Sequence, residues 1–301
     1  MSGSKLIPAV LGILTWACPH CLGGDTADIH AAAAAGDAER VAALLRSAPE
    51  LVSARCATGQ TPLHVAAHDL RVIAAATLIS AGADVNAKDR DGLTALHMVL
   101  RAGDNSKCVR VRRESLTLML LGSGADVKAT DEHGKTPLHI AAMKGRLALL
   151  DRLFEADADV AAEDKLGRSP LHDAAMYNQT AVIDWLLSKK ADVNIADKRG
   201  DTPLHCAVLR FRKEATERLI AGGANVNAKN KRGATPLHLA GSQGPEEKEV
   251  DRLLATVAEV LLTHGADVNA TDKAELTPLH YAVAKNRERL SAVLRAHGGI
   301  E

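Results

Sequence analysis

Residues whose types and spacing suit chemistry stand in four places along this sequence. Cys18-Pro19-His20-Cys21 sets two thiols three positions apart, the frame used by thiol oxidoreductases and by half of a zinc site. A reactive thiolate there needs a helix N-terminus inside a thioredoxin-like βαβ fold, yet no β-branched run of strand length follows to build the sheet. Zinc would need a second ligand pair at matching spacing, and Cys56, Cys108 and Cys206 are scattered singly. Seven of the thirteen histidines fall at 64, 97, 139, 172, 205, 238 and 280, a regularity that would suit a metal ladder or a row of general bases. Gly134-Lys135-Thr136 has the ending of a phosphate-binding loop, but Ala129 occupies the place of that loop's first glycine. Glu246-Glu247 is a carboxylate pair in a charged segment and reads as a solvated helix surface. No His-Glu-x-x-His, Gly-x-Ser-x-Gly or dinucleotide-binding glycine fingerprint occurs.

The histidines are positioned by a repeat. Each closes a tetrapeptide: Thr-Pro-Leu-His at 61–64, 136–139, 202–205, 235–238 and 277–280, with Thr94-Ala95-Leu96-His97 and Ser169-Pro170-Leu171-His172 as variants. Their separations are 33, 42, 33, 33, 33 and 42 residues. A second signature follows most of them, as at Gly82-Ala83-Asp84-Val85-Asn86 and Gly223-Ala224-Asn225-Val226-Asn227. Asp-x-x-Gly precedes the tetrapeptide at Asp89–Gly92, Asp131–Gly134, Asp164–Gly167 and Asp197–Gly200 and predicts a tight turn, with glycine supplying the positive φ. Thr suits a helix N-cap, and Pro suits the first helical position, where its missing N–H is no loss. Leu and the alanine pairs 66–67, 141–142 and 174–175 make a slim apolar face, and runs such as Ala181 to Leu187 predict a second helix. One histidine per repeat, always just inside a helix start, fits a structural hydrogen bond better than catalysis or metal binding.

This pattern resembles the ankyrin-repeat family, whose period and Thr-Pro-Leu-His-x-Ala signature it carries from about residue 26 to residue 301. The resemblance implies an all-α solenoid of about eight helix-turn-helix repeats with β-turn or hairpin connections, near 26–58, 59–91, 92–133, 134–166, 167–199, 200–232, 233–274 and 275–301. It also implies a non-enzymatic scaffold, without cofactor, that binds another protein in a concave groove lined by turn tips and exposed first-helix positions. Matched position by position, the tips supply Arg90, Asp91, Glu132, His133, Lys135, Lys165, Leu166, Arg168, Lys198, Arg199, Asp201, Lys231, Arg232 and Lys273. The helices supply Arg101, Lys144, Met176, Tyr177, Leu209, Arg210, Gln243 and Lys285. Between 130 and 290 eleven of these are Lys or Arg, against Glu132, Asp201 and Glu275 as acids, which suits an acidic partner. Solvated lysines in turns need no partner and account for the excess equally well. Met176, Tyr177, Leu209 and Phe211 are candidates for a central apolar anchor, although Phe211 equally suits the core.

Departures from the pattern carry expectations of their own. Leu70, Asn178, Phe211 and Asn286 stand where a glycine usually ends the first helix, and Glu275 replaces the last turn glycine, which makes that hairpin the weakest. Two nine-residue insertions, around Arg101–Glu114 (basic) and Gly241–Asp251 (acidic), fall between the helices of their repeats; helix extension is the simplest reading. Their opposite charge would also suit a second contact surface or head-to-tail association.

Composition bounds the function classes. The 301 residues carry thirty-seven basic and thirty-seven acidic side chains, which argues against a general nucleic-acid binder. Aromatics are only 2%, so the core must use small and branched aliphatics. No apolar run suffices for a stable membrane span. Residues 1–23, with Lys5, an apolar stretch from Leu6 to Ala17 and small residues up to Gly23, resemble a secretory signal peptide preceding a repeat domain at 24–301. Cleavage predicts a periplasmic or secreted monomer; a retained apolar helix predicts a cytoplasmic one. The alternative function is a thiol-redox or metal-binding protein using Cys18 and Cys21, with the repeats as its targeting module.

Overall fold

A computed structural model of the chain describes residues 25–103, 106–242 and 248–301. The proposed signal peptide, Cys18, Cys21, Gln243, Glu246 and Glu247 lie outside those residues. Sixteen α-helices, and no strand, occur among the described residues. They come in pairs: α1 (Asp25–Ala35) with α2 (Ala38–Ser47), α3 (Pro62–His68) with α4 (Val72–Ser80), and α5 (Ala95–Arg101) with α6 (Lys107–Gly122). Next come α7 (Pro137–Lys144) with α8 (Leu147–Glu155), α9 (Pro170–Met176) with α10 (Thr180–Ser188), and α11 (Pro203–Leu209) with α12 (Lys213–Ala221). The last two are α13 (Pro236–Ser242) with α14 (Lys248–Thr263), and α15 (Pro278–Ala284) with α16 (Glu288–Ala296).

Each first helix packs on the first helices of its neighbours and each second helix on the second helices, giving two parallel layers. A column of leucines runs between them. Leu63, Leu96, Leu138, Leu171, Leu204, Leu237 and Leu279 come from the first layer, and Leu78, Leu120, Leu153, Leu186, Leu219, Leu261 and Leu294 from the second, all essentially inaccessible. Alanines 66, 141, 174, 207, 240 and 282, equally buried, let the first helices approach closely. None of the five aromatics among the described residues belongs to this buried core. A thin layer repeated eight times has no room for a large ring, which accounts for the aromatic deficit.

The first helices stop where the chain turns left-handed, at Leu70 (φ 54), Gly145 (66), Asn178 (58), Phe211 (60) and Asn286 (52). Leu and Phe are strained there by about 1–2 kcal/mol. Burial offsets that strain, since Leu70 is enclosed and Phe211 packs against the core. The insertions are taken up largely as helix: α6 and α14 each have 16 residues, against 9 in α4, α8, α10, α12 and α16. Within the first insertion Arg113 does not face solvent; it is buried and donates to the Ala102 carbonyl at 2.9 Å.

Candidate protein-binding face

Six of the connecting turns are each built around one side chain. In the turn at 164–168, Asp164 Oδ1 accepts from the N–H groups of Leu166 (2.8 Å) and Arg168 (3.0 Å), while the Gly167 N–H donates to the Asp164 carbonyl at 2.8 Å. Asp89, Asp131, Asp197 and Asp272 repeat this arrangement, and Asn230 does so with its amide oxygen. The turns are then linked tip to tip. The Lys165 N–H donates to the His133 carbonyl (2.8 Å), Lys198 to Leu166 (2.9 Å), Lys231 to Arg199 (2.9 Å) and Lys273 to Arg232 (2.9 Å). Arg90 to Thr58 and Glu132 to Asp91 continue the series toward the N-terminus, unbroken by either insertion. A ridge of paired tips therefore runs along one edge of the stack.

The repeated histidines lie beneath it. In α9 the Ser169 N–H donates to His172 Nδ1 (3.0 Å), with the Ser169 hydroxyl also at 3.0 Å. That leaves the ring proton on Nε2, which donates to the Asp201 carbonyl of the next repeat at 3.0 Å. His64, His97, His139, His205 and His238 make the same two-sided connection, to Leu93, Lys135, Arg168, Ala234 and Leu276. Burial lowers the pKa of all six, that of His97 to about 4, so they are neutral posts between repeats. No three His, Cys, Asp or Glu among the described residues are grouped to hold a metal ion. Burial also pushes the Cys206 thiol up to about 12, which removes it as a nucleophile.

The sequence-derived cations divide into two sets. Lys135 and Arg168 are not free. Lys135 Nζ lies 2.6 Å from Asp173 and 3.2 Å from Asp164, and Arg168 bonds Asp164 at 3.0 Å, all with side chains at most 19% exposed. Burial alone would raise the Asp164 pKa; the Arg168 N–H and the charges of Lys135 and Arg168 outweigh it and hold the group at about 2. These two cations neutralise carboxylates inside the stack and do not belong with the solvent-facing charges. Lys144, Lys165, Lys198, Arg199, Arg210, Lys231 and Arg232 are exposed, as are Lys273 and Lys285, and none of the nine makes an ion pair among the described residues. Tyr177 is 47% exposed, and Met176 and Leu209 are half-buried at the last turns of α9 and α11. Phe211 is half-buried against the core.

Two further ladders escaped the sequence reading. Just after the left-handed position, Arg71 Nε donates to the Ala34 carbonyl (2.7 Å), Arg146 Nε to Leu100 (3.2 Å), Gln179 to Met143 (3.3 Å) and Arg212 Nε to Met176 (3.2 Å). Each closes the C-terminus of the preceding first helix. The recurring Arg at that register was the available signal. Asn86, Asn194, Asn227 and Asn269 bridge successive Gly-Ala-Asp segments, each donating to a glycine carbonyl and accepting an N–H from the next. Lys128 and Ala161 replace this Asn in the middle of the stack. Lys128 still reaches the next segment through an ion pair with Asp157, and the Lys135–Asp173 pair and an edge-to-face contact of Phe154 with Trp185, centroids 6.0 Å apart, also bind the repeats there.

Paired helices, linked turns and an exposed tip ridge define a helical-repeat protein of the recognition class. A family model described as ankyrin repeats (3 copies) matches residues 29–111, 110–197 and 189–272, and a second, ankyrin repeats (many copies), matches 254–295. The chain belongs to the ankyrin-repeat family, and its repeats are a protein–protein interaction module. It is also similar to inversin of Gallus gallus, 39% identical over 77 residues, which covers 26% of this chain and 7% of that much longer protein. No helix among the described residues is long and apolar enough to cross a membrane.

Proposed function

We propose that this protein is a non-enzymatic scaffold that binds an acidic surface of another protein along its turn ridge and the adjoining ends of the first helices. One observation carries the reading: across four consecutive turns the tips present Lys165, Lys198, Arg199, Lys231, Arg232 and Lys273, exposed and without ion pairs. The acids of the same turns point inward, with Asp164, Asp197 and Asp272 each accepting backbone N–H groups. A solvated lysine needs no partner. A row of cations held in register by backbone bonds, in a chain of zero net charge, is instead a local positive field that steers an acidic partner. Tyr177, with Met176 and Leu209, supplies apolar contact beside it.

The test is affinity capture from the native host with the wild-type chain and with the Lys198→Glu/Arg199→Glu/Lys231→Glu variant, followed by identification of the captured proteins. Loss of specific acidic partners from the variant, and weaker capture as salt rises, is the expected result. Equal capture by both chains overturns the reading.

A further inference from the structure

The ridge geometry also bears on the shape of the segment that binds it, an inference that rests on the acidic-partner reading and narrows it. At each tip the first N–H is spent on the preceding turn, as in Lys198 to Leu166 and Lys231 to Arg199. The second N–H is spent on the bracing side chain, as in Arg199 to Asp197 and Arg232 to Asn230. With its backbone donors used, the ridge cannot add a partner strand through main-chain bonds; it offers only side-chain cations. A docked amphipathic helix needs an apolar floor, and that floor is closed. Residues Pro170 to Ala175 of α9, Pro203 to Val208 of α11 and Pro236 to Gly241 of α13 are all buried.

The spacing follows from the same bonds. Each repeat contributes one chain step of about 3.8 Å between tip residues and one cross-bond step of roughly 5 Å. The ridge therefore advances about 9 Å per repeat, in line with the roughly 8–10 Å between packed helices. A peptide in the extended polyproline II conformation rises about 3.1 Å per residue with three residues per turn, so every third side chain returns to the same face about 9 Å further on, matching one repeat. A β-strand, whose side chains alternate faces, would not keep that register. We propose that the ridge from Lys165 to Lys273 recognises an extended, polyproline II-like segment of a partner protein with an acidic side chain at every third residue, one for each of four turns. Glu163 and Glu275, exposed at the two ends of this stretch, bound the register, and the preceding tips Asp91 and Glu132 would repel its continuation.

The proposal is tested by fluorescence anisotropy with the full chain and labelled peptides of about twelve residues and one composition. One peptide carries Glu at every third position; its isomer carries the same glutamates in a block. The periodic peptide is expected to bind at least about tenfold more tightly. Arg199→Glu/Lys231→Glu should abolish the difference, whereas Lys107→Glu/Arg110→Glu, an equal charge change on α6, should preserve it. Equal binding of both isomers, lost in the ridge variant, overturns the spacing inference and leaves the acidic-partner reading standing. Binding of neither peptide, or binding indifferent to the ridge variant, overturns both. Inorganic polyphosphate of equal charge that outcompetes the periodic peptide overturns the assignment to a protein segment. Circular dichroism confirms that the exposed-tip variants remain folded.

Discussion

Lys135 holds two carboxylates inside the stack, while Lys165, at the next turn, holds none and faces water. Their truncations should therefore differ. Lys135→Ala leaves Asp164 and Asp173, both nearly inaccessible, without their shared cation and should cost roughly 3 kcal/mol, as breaking a buried pair does. Lys165→Ala should stay within about 0.5 kcal/mol, the range of ordinary surface substitutions. Urea unfolding of the two variants measures this, and equal midpoints would contradict the division of the cations into structural and solvent-facing sets. Arg146 is another residue of the structural kind: buried, it donates to the carbonyls of Leu100, Ala102 and Gly103, where a planar fork serves and a lysine would not.

At the scale of the element, the turn glycines do more than supply a positive φ. A Cβ at Gly200 (φ 79) would lie 2.7 Å from the Lys231 nitrogen, and at Gly134 2.7 Å from the Lys165 nitrogen, because the next turn packs directly on the glycine. Gly200→Ala should therefore destabilise by about 1–3 kcal/mol through strain at a constrained backbone position. Glu275 occupies the same register at φ 60, and its N–H still bonds the Asp272 carbonyl at 3.1 Å. Among the described residues no following turn packs on it, so Glu275 incurs the φ cost but not the clash. Glu275→Gly should stabilise by up to about 1 kcal/mol. Thermal unfolding of the pair is the check; a harmless Gly200→Ala would show that the tips do not pack as described. The Asp-x-x-Gly and Thr-Pro-Leu-His signatures made these turns legible in the sequence, because a cap or a turn is a conversation among residues two to four apart. The Arg and Asn ladders were visible only as residues recurring in register; what they bond was not legible, because their partners lie about one repeat away.

For the whole molecule, six histidines buried neutral make stability depend on pH. Each has a folded pKa below its unfolded value near 6.5, so the unfolded chain takes up more protons in the window between them. Their contribution is complete above about pH 6.5 and is lost as pH falls toward about 4, the value for His97. The slope approaches about 1.4 kcal/mol per pH unit for each histidine within its window. The urea midpoint should fall steeply from pH 7 to pH 5, and a flat profile would contradict the neutral ladder. Asp164, held at about 2, keeps its charge throughout that range.

Period, helix pairing, turn positions and family were all readable from residues close together in the chain, since capping, turn chemistry and apolar spacing act over a few positions. The sorting of cations was not. Lys135 and Arg168 carry the same charge, at neighbouring turns, as Lys165 and Arg199, and differ in whether a carboxylate waits beside them. That carboxylate comes, for Lys135, from Asp173 one repeat further along the chain, and it reaches the lysine because the stacked helices bring the two together. Local pattern made the scaffold; contacts across the stack settled which charges it keeps and which it can offer.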